Sequence, residues 1–148
     1  MPKQESIKIK KLTPQAIVPT YGTKFSAGAD LYACNNSPLI IVPGETVMIK
    51  TGLAIEIPVG FVGLIYARSG LATKSGVAPA NKVGVIDSDY RGEIMVPLYN
   101  HSKTPAILDV GERVAQLVIV PYVKADFQVV NEINDSGRGN GGFGSTGR

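Results

Sequence analysis

The segment DSDYRG, residues 87–92, sets two carboxylates, a phenol and a guanidinium side by side. It imitates the start of an EF-hand loop, with Asp87, Asp89 and Gly92 at positions one, three and six. Position five is then Arg91 and position twelve Leu98, and both flanks have strand character, which excludes calcium. The stretch NKVGVIDSDYRGEIMVPLYN reads as a hairpin, with one strand ending at Ile86 and the next beginning at Glu93. Asp87 then sits where a strand ends. A carboxylate held on such a rigid edge is placed to activate a water, while the plainer role for Asp87 and Asp89 is turn formation. Tyr90 either stacks on a sugar or covers the turn.

Three further segments carry polar chemistry. In YARSGLATKSGV, the run Arg68-Ser69-Gly70 leaves a strand and enters a short helix. Ser69 is the expected N-cap, so free N–H groups would lie beside a guanidinium and attract an anion; an ordinary cap beside a surface arginine is the alternative. In FSAGADLYA, Asp30 is either an Asx-turn former or a carboxylate reaching a metal shell. In GERVAQLVIV, the amide of Gln116 stands in an otherwise apolar strand, where it needs partners, from the core or from a ligand. The chain ends on RGNGGFGSTGR, with five glycines in eleven residues. Such a segment cannot pack a core. It is a tail, or a flap whose one aromatic, Phe143, closes over something flat and anionic.

Composition narrows the choices. The 148 residues suit one domain, and 44% hydrophobic against 18% charged residues describes a globular chain. The net charge of +3 suits a small anionic ligand and offers no extended nucleic-acid track. One cysteine, Cys34, and one histidine, His101, exclude a disulfide framework and zinc sites built from Cys and His. No Gly-x-x-x-x-Gly-Lys-Ser/Thr run is present, so a P-loop is excluded. No apolar stretch reaches the ~20 residues of a membrane span, so a soluble, cytoplasmic protein is expected.

The elements that must position these residues are short β runs punctuated by Gly and Pro. SIKIKKL alternates with period two, and so does TVMIKTGLAIEI in two pieces around Gly52. FVGLIYA, KVGVI, EIMVPLYN, RVAQLVIV and DFQVV are further strand candidates. SGLATKSG, residues 69–76, is the one helical piece. This predicts an all-β domain of many short strands, a sandwich, jelly roll or barrel.

Taken in order, five segments resemble the motifs of one family, the trimeric deoxyuridine triphosphate nucleotidohydrolases (dUTPases). They are AGADL (27–31), RSGLATK (68–74), GVIDSDYRG (84–92), GERVAQLVI (111–119) and RGNGGFGSTG (138–147). The resemblance runs from about residue 27 to the end, with Val114 where isoleucine is usual in the family. It implies a β jelly-roll catalytic domain over residues 1–136, a flexible C-terminal lid over 137–148, and a homotrimer with active sites at subunit contacts. The implied reaction is dUTP plus water giving dUMP and pyrophosphate, which limits uracil in DNA and supplies dUMP for dTMP synthesis.

Residue by residue, the resemblance makes Asp87 the general base for the water attacking the α-phosphorus. Asn81 and the backbone at Val85 and Ile86 read the uracil edge, and Met95 lines the same pocket. Tyr90 stacks under the deoxyribose and blocks a 2′-hydroxyl. Arg68, Ser69, Gly70 and Gln116 bind phosphate oxygens, and Asp30 holds Mg²⁺ through water. Phe143 stacks on the uracil while Arg138, Gly144, Ser145 and Thr146 close over the phosphates. The competing readings are a dCTP deaminase-related enzyme of the same fold and a non-catalytic nucleotide-binding regulatory protein. GVIDSDYRG and the tail favour the hydrolase, and neither stable nucleic-acid binding nor membrane association is expected.

Overall fold

Apolar and polar residues alternate along most of the short runs, and the computed structural model, which describes residues 4–145 and 147, makes strands of nearly all of them. In chain order these are β1 (Lys8–Lys11), β2 (Thr20–Tyr21), β3 (Ala29–Tyr32), β4 (Leu39–Ile41), β5 (Thr46–Lys50), β6 (Leu53–Glu56) and β7 (Phe61–Tyr66). The helix α1 (Ser69–Lys74) follows, then β8 (Val77–Pro79), β9 (Gly84–Ile86), β10 (Met95–Asn100), β11 (Ala106–Leu108) and β12 (Arg113–Pro121). The all-β expectation with one short helix holds. Thr146 lies outside the described residues.

The strands form antiparallel sheets in the orders β2-β3-β12-β7-β9, β5-β10-β8, β1-β6 and β11-β4. β12 is paired on both sides, which suits its run of β-branched residues. One cluster joins the sheets: Leu31, Ile41, Ile49, Ile55, Ile65, Val77, Leu98, Leu108 and Val114 are all buried in it. Each comes from a different strand, so the small sheets share one core. Asn100, fully buried, is satisfied by donating to Ile41 O (2.7 Å) and Thr104 O (2.8 Å) and accepting from Ser102.

Two expectations are corrected here. The stretch around residues 84–100 is not a paired hairpin, because β9 pairs with β7 while β10 pairs with β5 and β8. The apolar side chain of Ile94 is fully buried, and its N–H donates to Leu53 O (2.7 Å), which draws the chain into another sheet before β10 starts. Asp87 therefore begins a crossing between sheets. DFQVV (126–130) is also not a strand; residues 121–140 are all exposed, with Phe127 and Val129 more than nine-tenths so. Its alternation is real, but it meets no partner edge among the described residues.

Candidate functional site

The site grows out of the face of the five-stranded sheet that turns away from the core. β12 has a register shift between Arg113 and Ala115, so that Val114 and Ala115 are both buried in the core. An extra residue of this kind re-aims its neighbours. Beyond it, Gln116 lies directly across from Asp30 on β3 and from Tyr66 on β7. Side chains opposite one another in a ladder share a face, so Asp30, Gln116 and Tyr66 form one row. With Gly22, Ser26, Ala27, Gly28 and Val118 they line an open cleft of about 420 Å³.

Charge is concentrated at one end of that row. Asp30 accepts from Arg68 Nε at 2.8 Å and from Arg113 Nη1 at 3.4 Å, one guanidinium on each carboxylate oxygen. The Asp30 and Arg68 side chains are 14% and 27% exposed, dry enough for the pair to hold its geometry. Removing one member of a pair this dry leaves a poorly solvated charge, so the two are energetically linked. Gln116 Nε2 donates to Ala67 O at 2.9 Å, which fixes the turn immediately before Arg68. Asp30, Arg68 and Gln116 therefore lie side by side at this end of the row.

Arg113 escaped the sequence reading. In a strictly alternating strand, positions three apart point to opposite faces. The bulge alone returns Arg113 to the side of Gln116 and Asp30.

Gly28 is required by the same packing. A Cβ there would collide with Gln116 Oε1 and lie 3.0 Å from its Cδ and 3.2 Å from its Cβ. We expect Gly28→Ala to force Gln116 from its place and to cost about 1–3 kcal/mol in denaturant unfolding, the usual range for overpacking. A variant as stable as the wild type would mean that Gln116 has another comfortable position.

At Ser69 the expectation changes. Ser69 is the first helical residue, and the N-cap is Arg68, with extended φ −89° and ψ 129° and no side-chain cap hydrogen bond. The Arg68 side chain is drawn back to Asp30, while Ser69 O accepts from Thr73 Oγ1 at 2.6 Å. Ser69 and Gly70 are exposed beside this ion pair.

The second group of residues lies on the far edge of the sheet. β9 pairs with β7 only, leaving its other edge, at Val85 and Ile86, unpaired within the sheet. Asn81 lies against Gly84, its Nδ2 about 3.4 Å from where a Cβ would stand. Asp87 follows the strand and is exposed, and its backbone carbonyl accepts from Tyr90 N at 3.1 Å. The Tyr90 ring lies over Gly92, where any Cβ would be 2.5 Å from its hydroxyl oxygen. That hydroxyl donates to Glu93 O at 2.8 Å. Met95 opens β10 and is partly exposed at 37%.

These two groups do not meet within one chain. From Asp30 to Asp87 the path crosses three strand spacings, ~14 Å, and about four residues along the strands, ~13 Å. The tail stands apart as well. Phe143 is fully exposed with φ +50°, and Arg138 Nε donates to Gly141 O at 2.8 Å within the tail itself. Gly144 and Ser145 continue as turns, with Ser145 N donating to Gly142 O. No helix among the described residues is long and apolar enough to cross a membrane.

A mostly β chain with an Asp–Gln cleft flanked by arginines, an exposed carboxylate on a sheet edge and a Gly-rich tail has the parts of a phosphate-handling enzyme. Its relatives agree. The dUTPase family model matches residues 14–147, and the chain belongs to the dUTPase family. It is 49% identical over 143 residues to the deoxyuridine 5'-triphosphate nucleotidohydrolase of Burkholderia cenocepacia (strain HI2424), covering 96% of this chain and 97% of that protein. The Paraburkholderia xenovorans (strain LB400) protein of the same name is 50% identical over 132 residues, covering 88% and 89% of the two chains. Among solved structures, a mutant dUTPase of Staphylococcus bacteriophage 80alpha with dUpNHpp superposes with a TM-score of 0.86 at 29% identity, covering 98% of this chain and 100% of that one. A mutant dUTPase from phage phi11 of S. aureus, described with a coordinated structural Mg(II) ion, gives 0.79 at 25% identity over 88% of this chain and 100% of that one.

Proposed function

We propose that this chain hydrolyses dUTP to dUMP and pyrophosphate at sites assembled between the subunits of a homotrimer. It is a dUTP diphosphatase, an enzyme of nucleotide metabolism. The observation that carries the reading is a cleft lined by Asp30 and Gln116, which lie opposite one another in the ladder, with Arg68 paired to Asp30 and Gln116 bonded to the carbonyl of the residue before Arg68.

Arg68, the backbone at Ser69 and Gly70, and Gln116 bind the phosphate oxygens. The unpaired edge of β9 presents backbone groups at Val85 and Ile86 to the uracil edge, with Asn81 and Met95 beside it. Tyr90 packs under the deoxyribose. Asp87 takes a proton from water as its oxygen bonds to the α-phosphorus, and the bond from that phosphorus to the bridging oxygen breaks, releasing pyrophosphate. Displacement of this kind is catalysed mainly by positioning and charge neutralisation.

The donor set fits Mg²⁺. Among the described residues no group of three or more His, Cys, Asp or Glu side chains could hold a metal ion. One carboxylate beside an amide suits an ion that keeps its waters and takes its inner oxygens from substrate phosphates. Asp30 would hold it through water, and when bound it neutralises phosphate charge.

Separation of the two groups supports a site shared between subunits, and the trimer is the family's way of sharing it. Asp87 and Tyr90 lie too far from the cleft of their own chain to share a nucleotide with it, and they complete the cleft of a neighbour. The tail does the same. Residues 137–148 form the lid, since twelve extended residues span about 40 Å. Phe143 covers the uracil, and Arg138, Gly144, Ser145 and Thr146 close on the phosphates. Light scattering should give three times the 15.6 kDa of one chain, and a monomer at micromolar protein would contradict the shared site.

A panel of dUTP, dCTP, dTTP and UTP with pyrophosphate detection tests the activity. We expect release from dUTP far above the other three. Ammonia released from dCTP, followed in a parallel assay, would instead support the deaminase-like reading.

A further inference from the structure

We propose that Glu93 is a positioning residue for sugar selection: its carboxylate fixes the backbone carbonyl that holds the Tyr90 ring. The proposal rests on the reading of Tyr90 as the deoxyribose contact. Tyr90 is 39% exposed, so core packing alone does not hold it. Its ring is fixed at two points, the close approach to Gly92 and the hydrogen bond from its hydroxyl to Glu93 O at 2.8 Å. The position of that carbonyl therefore sets the position of the ring.

The carbonyl is anchored from an unexpected direction. Glu93 Oε1 accepts from Gly52 N at 2.9 Å, a partly buried bond between residues 41 apart in sequence. Gly52 forms the corner between β5 and β6, and that corner cannot shift easily. It has φ +69°, and a Cβ there would be 2.8 Å from Ala16 Cβ and 3.0 Å from Cys34 Sγ. Gly52 O accepts from Leu12 N at 2.7 Å. Next door, Ile94 N donates to Leu53 O at 2.7 Å, and Ile94 O accepts from Thr51 Oγ1 at 2.6 Å. On the loop side, Arg91 Nη1 donates to Ser88 O (2.7 Å) and Tyr90 O (3.1 Å).

Glu93 thus ties the crossing loop to a rigid corner through one carboxylate oxygen, Oε1. It acts on the nucleotide only through Tyr90. Selection between dUTP and UTP is a difference of two affinities. A ring free to tilt packs less well on deoxyribose and also yields to a 2′-hydroxyl, so the ratio falls from both sides. The base-reading edge of β9 belongs to another sheet and is untouched.

Steady-state kcat and KM for dUTP, UTP and dTTP test this in Glu93→Ala, Glu93→Gln, Tyr90→Phe and Tyr90→Ala. Glu93→Ala should lower the dUTP/UTP ratio of kcat/KM by about fivefold, the effect of one net hydrogen bond. The dUTP/dTTP ratio should stay as it is. Glu93→Gln keeps an oxygen for Gly52 N and should restore the ratio, which a simple need for charge would not predict. Tyr90→Phe should match Glu93→Ala, and the two together should add nothing, as expected for residues acting in one chain of contacts. Because Tyr90→Phe leaves the Gly52 corner intact, it keeps the test decisive if Glu93→Ala folds poorly. An unchanged ratio in Glu93→Ala or Tyr90→Phe, with Tyr90→Ala relaxed toward UTP, would overturn the role of Glu93 alone. UTP excluded as strongly as before in Tyr90→Ala would overturn the sugar reading, and the proposal with it.

Discussion

Asp87→Asn is expected to lose roughly 10²–10⁴ in kcat, the usual contribution of a positioned general base. The substitution keeps the shape of the side chain and removes its basicity. Asp87 is exposed just past β9, so folding should be little affected, within about ±0.5 kcal/mol as for most surface changes. The turn to Tyr90 uses the backbone carbonyl of residue 87, which the substitution leaves in place. Binding of a non-hydrolysable dUTP analogue should survive for the same reason. Stopped-flow turnover and analogue titration separate the two quantities. Near-normal turnover would reduce Asp87 to a turn former.

Deleting residues 137–148 should have the second-largest effect. Phe143 is fully exposed, and Arg138 is occupied within its own turn, so the unliganded melting temperature should barely move. With substrate the loss is twofold. Base stacking alone contributes on the order of 1–3 kcal/mol. Donors closing over the phosphates matter most as charge redistributes at the reacting phosphorus, so kcat should fall by on the order of 10² beyond any change in KM. Phe143→Trp offers a gentler probe, active and changing fluorescence when the analogue and Mg²⁺ bind. Full activity in the truncated chain would leave the tail without a function.

The chemistry-bearing residues were legible because each motif is local. Asp30 and Gln116 stand out as polar groups in strands and Arg68 as a cation before the helix, and the structure sets the three side by side. What stayed hidden depends on pairing between distant segments. Alternation identifies β9 and β10 as strands, but not that buried Ile94 carries the second into a different sheet. Arg113 is masked by a bulge, which the period-two rule cannot see. DFQVV carries a strand pattern that pairs with no strand among the described residues. Ser69 has the right chemistry for a cap, yet the pull of Asp30 on Arg68 moves the helix start by one residue. Glu93 looks like a surface carboxylate until Gly52 is found beside it.

The central claim, a site completed by a neighbouring subunit, is tested most directly by mixing two inactive chains. Asp87→Asn and Arg68→Gln subunits, unfolded together in equal amounts and refolded, would form mixed trimers. A site made of Arg68 from one subunit and Asp87 from another is intact in about one case in four under random closed assembly. The mixture should therefore regain about a quarter of the activity of wild-type protein refolded in the same way. Activity no higher than the mean of the two variants refolded separately would place both residues in one chain's site and contradict the shared assembly.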